Sequence, residues 1–360
     1  MKGIFQGDYV SEPVISVVIP AFRSGSLIRE AIDSVLNQTF QDFEIVIVDN
    51  NASEETRDAF NEVAQENPGK IRVVSEALAG VCSARNRGIL EGRGVYIALL
   101  DDDDKMYPDR LFKQILAFES NPDIVLVYGA LDFVEFDGQT VVEKNKADSP
   151  SYWSKILLGD QTRYLSDPLA EPMPSVMLFK KEHAVKIGLF DERFNPIWLE
   201  DTEFLLRMWE SGPFFFIPES LGAYRLPSRD FLRKKRAGIS SGIQRFFNQD
   251  LFFSILVEKY YRNKDYGNII KFKKIKSQWL RELSFEVFKY RDGKQIGRAL
   301  LQRAMKSCPT DLKNWKWYLR SYLPNTSFLR SLKCQEYSPE LLSDIADPEI
   351  FKGFFCLPED

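Results

Sequence analysis

Tyr96-Ile97-Ala98-Leu99-Leu100-Asp101-Asp102-Asp103-Asp104 runs five uncharged, mostly apolar residues straight into four acids. The apolar part is short and follows Gly92 and Gly94, so it reads as a strand rather than a helix. A strand apolar on both faces belongs in a parallel sheet covered by helices on either side. Such sheets bind ligands beyond the carboxyl ends of their strands. The four aspartates therefore emerge where an α/β sheet places its ligand. Four adjacent carboxylates repel one another, and hard oxygen ligands suit Mg²⁺ or Mn²⁺. A calcium-binding EF-hand loop is excluded, because its sixth position, Met106, would have to be glycine. A phosphatase of the haloacid dehalogenase type also carries Asp-x-Asp after an apolar strand, but Lys105 stands where that pattern expects Thr or Val. Asp101 to Lys105 also spells a protease-cleavage tag, yet it lies mid-chain between patterned segments and is treated as native sequence.

Upstream, the pattern alternates strand and helix. Val14 to Ile19 is a β-branched run, followed by a loop and by Leu27, Ile28, Ala31, Ile32, Val35 and Leu36 at helical spacing, with Ser26 expected to cap them. Phe43 to Asp49 is a second apolar run ending in an acid. Ser53-Glu54-Glu55-Thr56 fits a helix start. Ile71 to Val74 is a third strand, and Val81 to Ile89 a helix carrying Arg85 and Arg87. Three such alternations argue for a mostly parallel sheet. Downstream, a helix opens at Tyr107-Pro108-Asp109-Arg110. Strands are predicted at Ile124–Tyr128, Leu131–Phe136, Thr140–Val142, Val176–Phe179, Phe214–Ile217 and Gly222–Leu226, and a helix begins at Glu200-Asp201.

The 360 residues are 44% hydrophobic and 28% charged, with a formal net charge of −4, so no overall field points to nucleic acid. No window is apolar for long enough to span a bilayer. Met1 to Pro13 lacks the apolar core of a signal peptide, which predicts a cytoplasmic protein with reduced thiols and unused sequons at Asn37, Asn51 and Asn325. The four cysteines show no zinc spacing, and one histidine, His183, excludes a poly-histidine metal centre. Acid–base chemistry must then fall to carboxylates, Lys or Tyr. From Arg225 to Arg281 there are 15 Lys or Arg against 4 Asp or Glu, interleaved with aromatics. A boundary near 227–240 divides the chain into residues 1–235 and a helical accessory domain, 236–360. The basic segment suits a solvated helical face, an anionic membrane surface or an acidic acceptor, and leaves room for a homo-oligomer contact.

Several separated stretches, in order, resemble the family 2 glycosyltransferases of GT-A fold. They are Ser16-Val17-Val18-Ile19-Pro20-Ala21-Phe22, Ala31 to Thr39, Glu44 to Asn50, Ala84-Arg85-Asn86-Arg87-Gly88, Leu100 to Asp104, Gly188-Leu189-Phe190-Asp191-Glu192 and Glu200-Asp201. The resemblance covers somewhat under two thirds of the chain. It implies a mostly parallel mixed sheet flanked by helices, and sugar transfer from a nucleotide-sugar donor, UDP-linked by preference, with inversion. The acceptor would be a glycan or lipid-linked hydroxyl. It implies donor contacts from Pro20, Ala21, Phe22, Asp49, Arg85, Asp101 and Asp102, and a Mn²⁺ or Mg²⁺ site at Asp103 with Asp101. Asp201 would be the base, Glu200 would contact the acceptor or orient the loop, and Trp198 would offer a face to the acceptor sugar. Structural alternatives stand beside these roles: a turn cap for Asp49, an ion pair for Arg85 and a plain helix-terminal acid for Asp201. Many relatives carry a metal-ligating histidine just after the strand that ends here in Tyr224-Arg225; this chain has Leu226-Pro227-Ser228. A catalytically idle nucleotide-sugar-binding protein on the same fold is the alternative function.

Overall fold

The computed structural model describes residues 12–135, 141–143, 172–195, 199–226 and 293–322, with single positions between 251 and 285. The chain divides into two units, Met1–Lys234 and Lys235–Asp360. In the first, β1 (Ile15–Ala21), β2 (Phe43–Asp49) and β3 (Ile71–Ser75) alternate with α1 (Leu27–Leu36), α2 (Glu54–Glu66) and α3 (Val81–Glu91). β4 (Tyr96–Leu99), β5 (Lys105–Met106) and α4 (Arg110–Ser120) follow, then β6 (Leu126–Glu135) and β7 (Val141–Glu143). A 3₁₀ turn at Pro174–Val176 leads into β8 (Leu178–Lys180) and α5 (Lys181–Lys186), and a second at Glu192–Phe194 precedes α6 (Glu200–Ser211) and β9 (Phe214–Leu226).

The sheet order is β3-β2-β1-β4-β8-β6-β9-β5, with β7 paired to β6. β1 lies parallel between β2 and β4, and β8 is inserted antiparallel between β4 and β6. The direction of winding reverses between β1 and β4, which opens a crevice at their carboxyl ends. The apolar residues of β1 and β2 are fully or almost fully excluded from water, as expected of strands covered on both faces.

Three sequence expectations are corrected. Ser26 stands at the start of α1 without a side-chain cap, its backbone being already helical, whereas Ser53 does accept the Thr56 N–H. The segment predicted as one strand over Val176–Phe179 is a 3₁₀ turn followed by a shorter strand. The carbonyls of Ser175 and Met177 accept hydrogen bonds from the Arg110 guanidinium, and of the two only Met177 also takes a strand N–H, that of Leu99 in β4. The runs predicted as separate strands at Phe214–Ile217 and Gly222–Leu226 form one strand, as do those at Ile124–Tyr128 and Leu131–Phe136 in β6, and the two pair in parallel through register shifts around Gly129, Ala130 and Leu131. Gly222 permits that path, because a Cβ there would lie 2.5 Å from the Lys105 carbonyl oxygen.

In the second unit, α7 (Gly293–Ser307) and α8 (Leu312–Arg320) form a helical pair around Leu300, Leu301 and Ala304. Asp311 caps α8 through the Lys313 N–H and pairs with Arg281. Among the described residues, no helix is long and apolar enough to cross a membrane.

Candidate active site

Two loops meet at the β1–β4 crevice. The Phe22 N–H, just past β1, donates to Asp102 Oδ2 at 2.8 Å. The Ala21 and Phe22 carbonyls accept the Asn50 and Ser53 N–H groups, and Ala21 is the register partner of Asp49. Pro20, Ala21, Phe22, Asp49 and Asp102 are thereby brought into one corner. Phe22 leaves its ring 46% exposed there. Asp49 acts as a turn cap, accepting the Ala52 N–H at 2.9 Å, and also binds Arg57 Nε at 2.8 Å. Burial pushes its carboxyl up, but those partners win and hold it below the usual range.

Arg85 joins the acid run to the distant Glu200. Its Nη2 donates to Asp101 at 2.9 Å and its Nη1 to Glu200 at 3.1 Å, with the guanidinium buried. Burial opposes its charge, but Asp101, Glu200 and Asp201 outweigh it, so the guanidinium stays protonated. Three features aim it. Gly88 lets α3 press on β1, since a Cβ there would lie 2.2 Å from Val18 Cγ1. Asn195 caps α3 from 112 residues away, accepting the Cys82 N–H and donating to Ser83 Oγ. Asn86 exchanges hydrogen bonds with the backbone of Phe190 in both directions. The Ala84–Gly88 and Gly188–Glu192 motifs are thus halves of one interaction.

The four aspartates have separate surroundings. Asp104 is fully buried; it accepts Ser175 Oγ–H and the Arg225 N–H, so it anchors the loop. Arg110, also fully buried, donates to the carbonyls of Leu99, Ser175 and Met177 beneath it. Burial pulls the Arg110 guanidinium down to about 9 against the field of Asp104. Asp103 is held up at about 7, first by burial and then by the charges of Asp101 and Asp102. Asp102 is held up at about 6, mainly by burial, with the Phe22 N–H pulling the other way. Tyr224 feels Asp104, Asp101, Asp103 and Asp201 together, which with burial raises it to about 12. Asp201 thus acts on the same Tyr224 and Arg85 side chains as the aspartate run.

Asp201 is the second residue of α6, its Oδ1 accepting the Thr202 N–H at 2.6 Å. Leu199, immediately before the helix, has a left-handed backbone, φ +67°, and is 8% exposed. Glu200 is 4% exposed and held by Arg85. Trp198 lies outside the described residues, as does most of 225–281.

Sequence reading missed Arg110, Ser175, Asn195 and Arg225 as parts of this site. Arg225 donates Nη2 to Glu30 at 2.6 Å and keeps a buried Nη1 without a partner, while its charge acts on Asp103. Its position directly after Tyr224 was the available signal; the other three carry no local signature.

Residues 16–188 match the profile described as glycosyl transferase family 2. An uncharacterized glycosyltransferase of Methanocaldococcus jannaschii is 28% identical over 258 residues, 71% of this chain and 82% of that protein. The chondroitin synthase of Pasteurella multocida is 31% identical over 129 residues, 36% of this chain but 13% of that protein. Among solved structures, S. aureus TarS 1-349 in complex with UDP-GlcNAc superposes with a TM-score of 0.54 at 16% identity, covering 86% of this chain and 91% of that one. The same protein in complex with UDP gives 0.50, also at 16% identity, over 86% and 90%. The likeness to these structures is one of fold, and the GT-A architecture expected from the sequence is the one found.

Proposed function

We propose, from the match of residues 16–188 to glycosyl transferase family 2, an inverting transfer of a sugar from a UDP-linked donor to a hydroxyl of a glycan or lipid-linked acceptor. The observation that carries the reading is the Arg85 bridge between Asp101 and Glu200. It ties the end of the donor strand to the start of the helix that bears Asp201. The UDP preference is supported by the nucleotides in the TarS complexes and by Asp49, whose carboxylate can accept a base N–H once Arg57 shares it.

In the proposed step, the acceptor oxygen forms a bond to the anomeric carbon while the bond to the donor diphosphate breaks. The electron pair leaves on the diphosphate. Asp201, in the first turn of α6, takes the acceptor proton. Glu200 is a positioning residue, fixing the helix start through Arg85. Asp102 holds the loop after β1 against the acid corner.

Asp103 with Asp101 suits Mn²⁺ or Mg²⁺. Asp103 has no ion pair with a cation among the described residues and is forced upward by burial and neighbouring charge, a condition that a bound cation relieves. No group of three or more His, Cys, Asp or Glu among the described residues has the arrangement of a metal site, so water and the diphosphate would have to complete the shell. When bound, the ion supplies charge stabilisation for the leaving diphosphate. Arg225, whose Nη1 is unpartnered, adds a fixed positive charge that acts on Asp103.

The deciding experiment pairs a thermal-shift panel of nucleotides and nucleotide sugars, with and without Mn²⁺, with a transfer assay. Asp201→Asn is expected to retain the nucleotide-induced shift and to lose about 10²–10⁴ in transfer rate. Undiminished transfer in that variant would remove Asp201 as base. A shift without any transfer in the native chain, across donors and acceptors, would favour the idle binding protein.

A further inference from the structure

The second unit differs sharply from the first in charge. Residues 235–360 carry 23 Lys or Arg against 14 Asp or Glu, whereas residues 1–234 carry 25 against 38. Within α7 and α8 there is no acid at all. α8 turns its inner side, Asn314, onto Ser277 and Arg281, where Asn314 is fully buried. Its outer side presents Leu312, Trp315 and Leu319 at spacings of three and four, continued by Tyr322. These are 77%, 46%, 64% and 53% exposed. Residues so spaced share one helical face. Lys313 and Lys316, both exposed, border that face on one side, and Arg298 lies over the Tyr322 ring at 3.9 Å.

We infer that this outer face of α8 docks on the anionic surface of a lipid bilayer, with the helix lying in the plane of the interface. An apolar stripe containing Trp and Tyr and flanked by Lys is the chemistry of such a helix. The aromatic rings sit at head-group level and the lysines reach acidic head groups. A second copy of the chain is the poorer occupant, because a two-fold contact through this face brings together the lysines of both copies without an acid from either helix to offset them. The inference is independent of the transferase chemistry and fits a lipid-linked acceptor.

Flotation of the full chain tests it, using vesicles of equal parts phosphatidylcholine and phosphatidylglycerol against vesicles of phosphatidylcholine alone. The native chain is expected to float with the anionic vesicles and to be released by salt. Lys313→Glu/Lys316→Glu is expected to lower partitioning at least about tenfold, and Leu312→Ser/Leu319→Ser by about tenfold. Each variant is checked for an unchanged circular dichroism spectrum. Quenching of tryptophan fluorescence by lipids brominated near the head group should fall in Trp315→Phe, which keeps an apolar ring in place. Absence of native flotation with anionic vesicles overturns the inference. So does flotation that survives both double substitutions, or a dimer in sedimentation that Leu312→Ser/Leu319→Ser dissolves.

Discussion

Arg85 gives one nitrogen to Asp101 and another to Glu200, and its guanidinium is almost wholly removed from water. Removing one member of a buried ion cluster leaves the others uncompensated, which is far costlier than losing the attraction alone. Arg85→Met is therefore expected to lower unfolding stability by about 3–5 kcal/mol, read by urea denaturation. Adding Glu200→Gln should recover part of that loss without restoring transfer, because the tie between the donor strand and α6 stays broken. A double variant no more stable than Arg85→Met would mean that Glu200 gains nothing from the pair. The same bridge explains why Glu200 is poorly placed to contact an acceptor directly: its carboxylate is turned inward.

At the level of elements, α3 is pressed on β1 through Gly88 and fastened at its start by Asn195. Gly88→Ala is expected to cost about 1–3 kcal/mol through overpacking, and Val18→Ala in the same chain to return part of it by opening space at Val18 Cγ1. Thermal unfolding of the single and double variants checks this; equal losses in the two would place the clash elsewhere. These fastenings also show what could be read from sequence. β1, β2 and β4 were legible because their signal is local, an apolar run closed by Pro20 in β1 and by an acid after β4 and at the end of β2. The acid corner was legible because a charge run beyond a strand is itself local. Asn195 and Arg110 were not, since an asparagine capping a helix 113 residues away and an arginine binding three carbonyls look, in sequence, like ordinary loop and helix residues. Gly129 and Gly222 misled for a related reason: glycines that end strands and glycines that carry a strand through a bulge are identical until the partner strand is known.

Across the whole molecule, the acid corner sets a pH response. Asp102 and Asp103 keep their protons to about 6 and about 7 in the folded protein, while unfolded aspartates lose theirs near 3.8. Between those values the folded state binds more protons, so stability falls as pH rises from about 4 to about 7 and then levels off. The loss is of the order of several kcal/mol, at about 1.4 kcal/mol for each tenfold gain in proton affinity. It should shrink on adding Mn²⁺ with UDP, and Asp103→Asn should flatten the profile and abolish the response to the cation. Melting curves taken from pH 5 to pH 8 measure both; a profile that rises over this range would contradict the placement of these carboxylates. One further consequence concerns protein engineering. Asn195, clasped on α3, is one mooring, and the left-handed Leu199 leading into the Glu200–Arg85 pair is another. Loop grafts meant to retarget the enzyme should therefore be spliced between those two moorings. A cut through either would cost the recipient its catalytic alignment before any new acceptor had been tried.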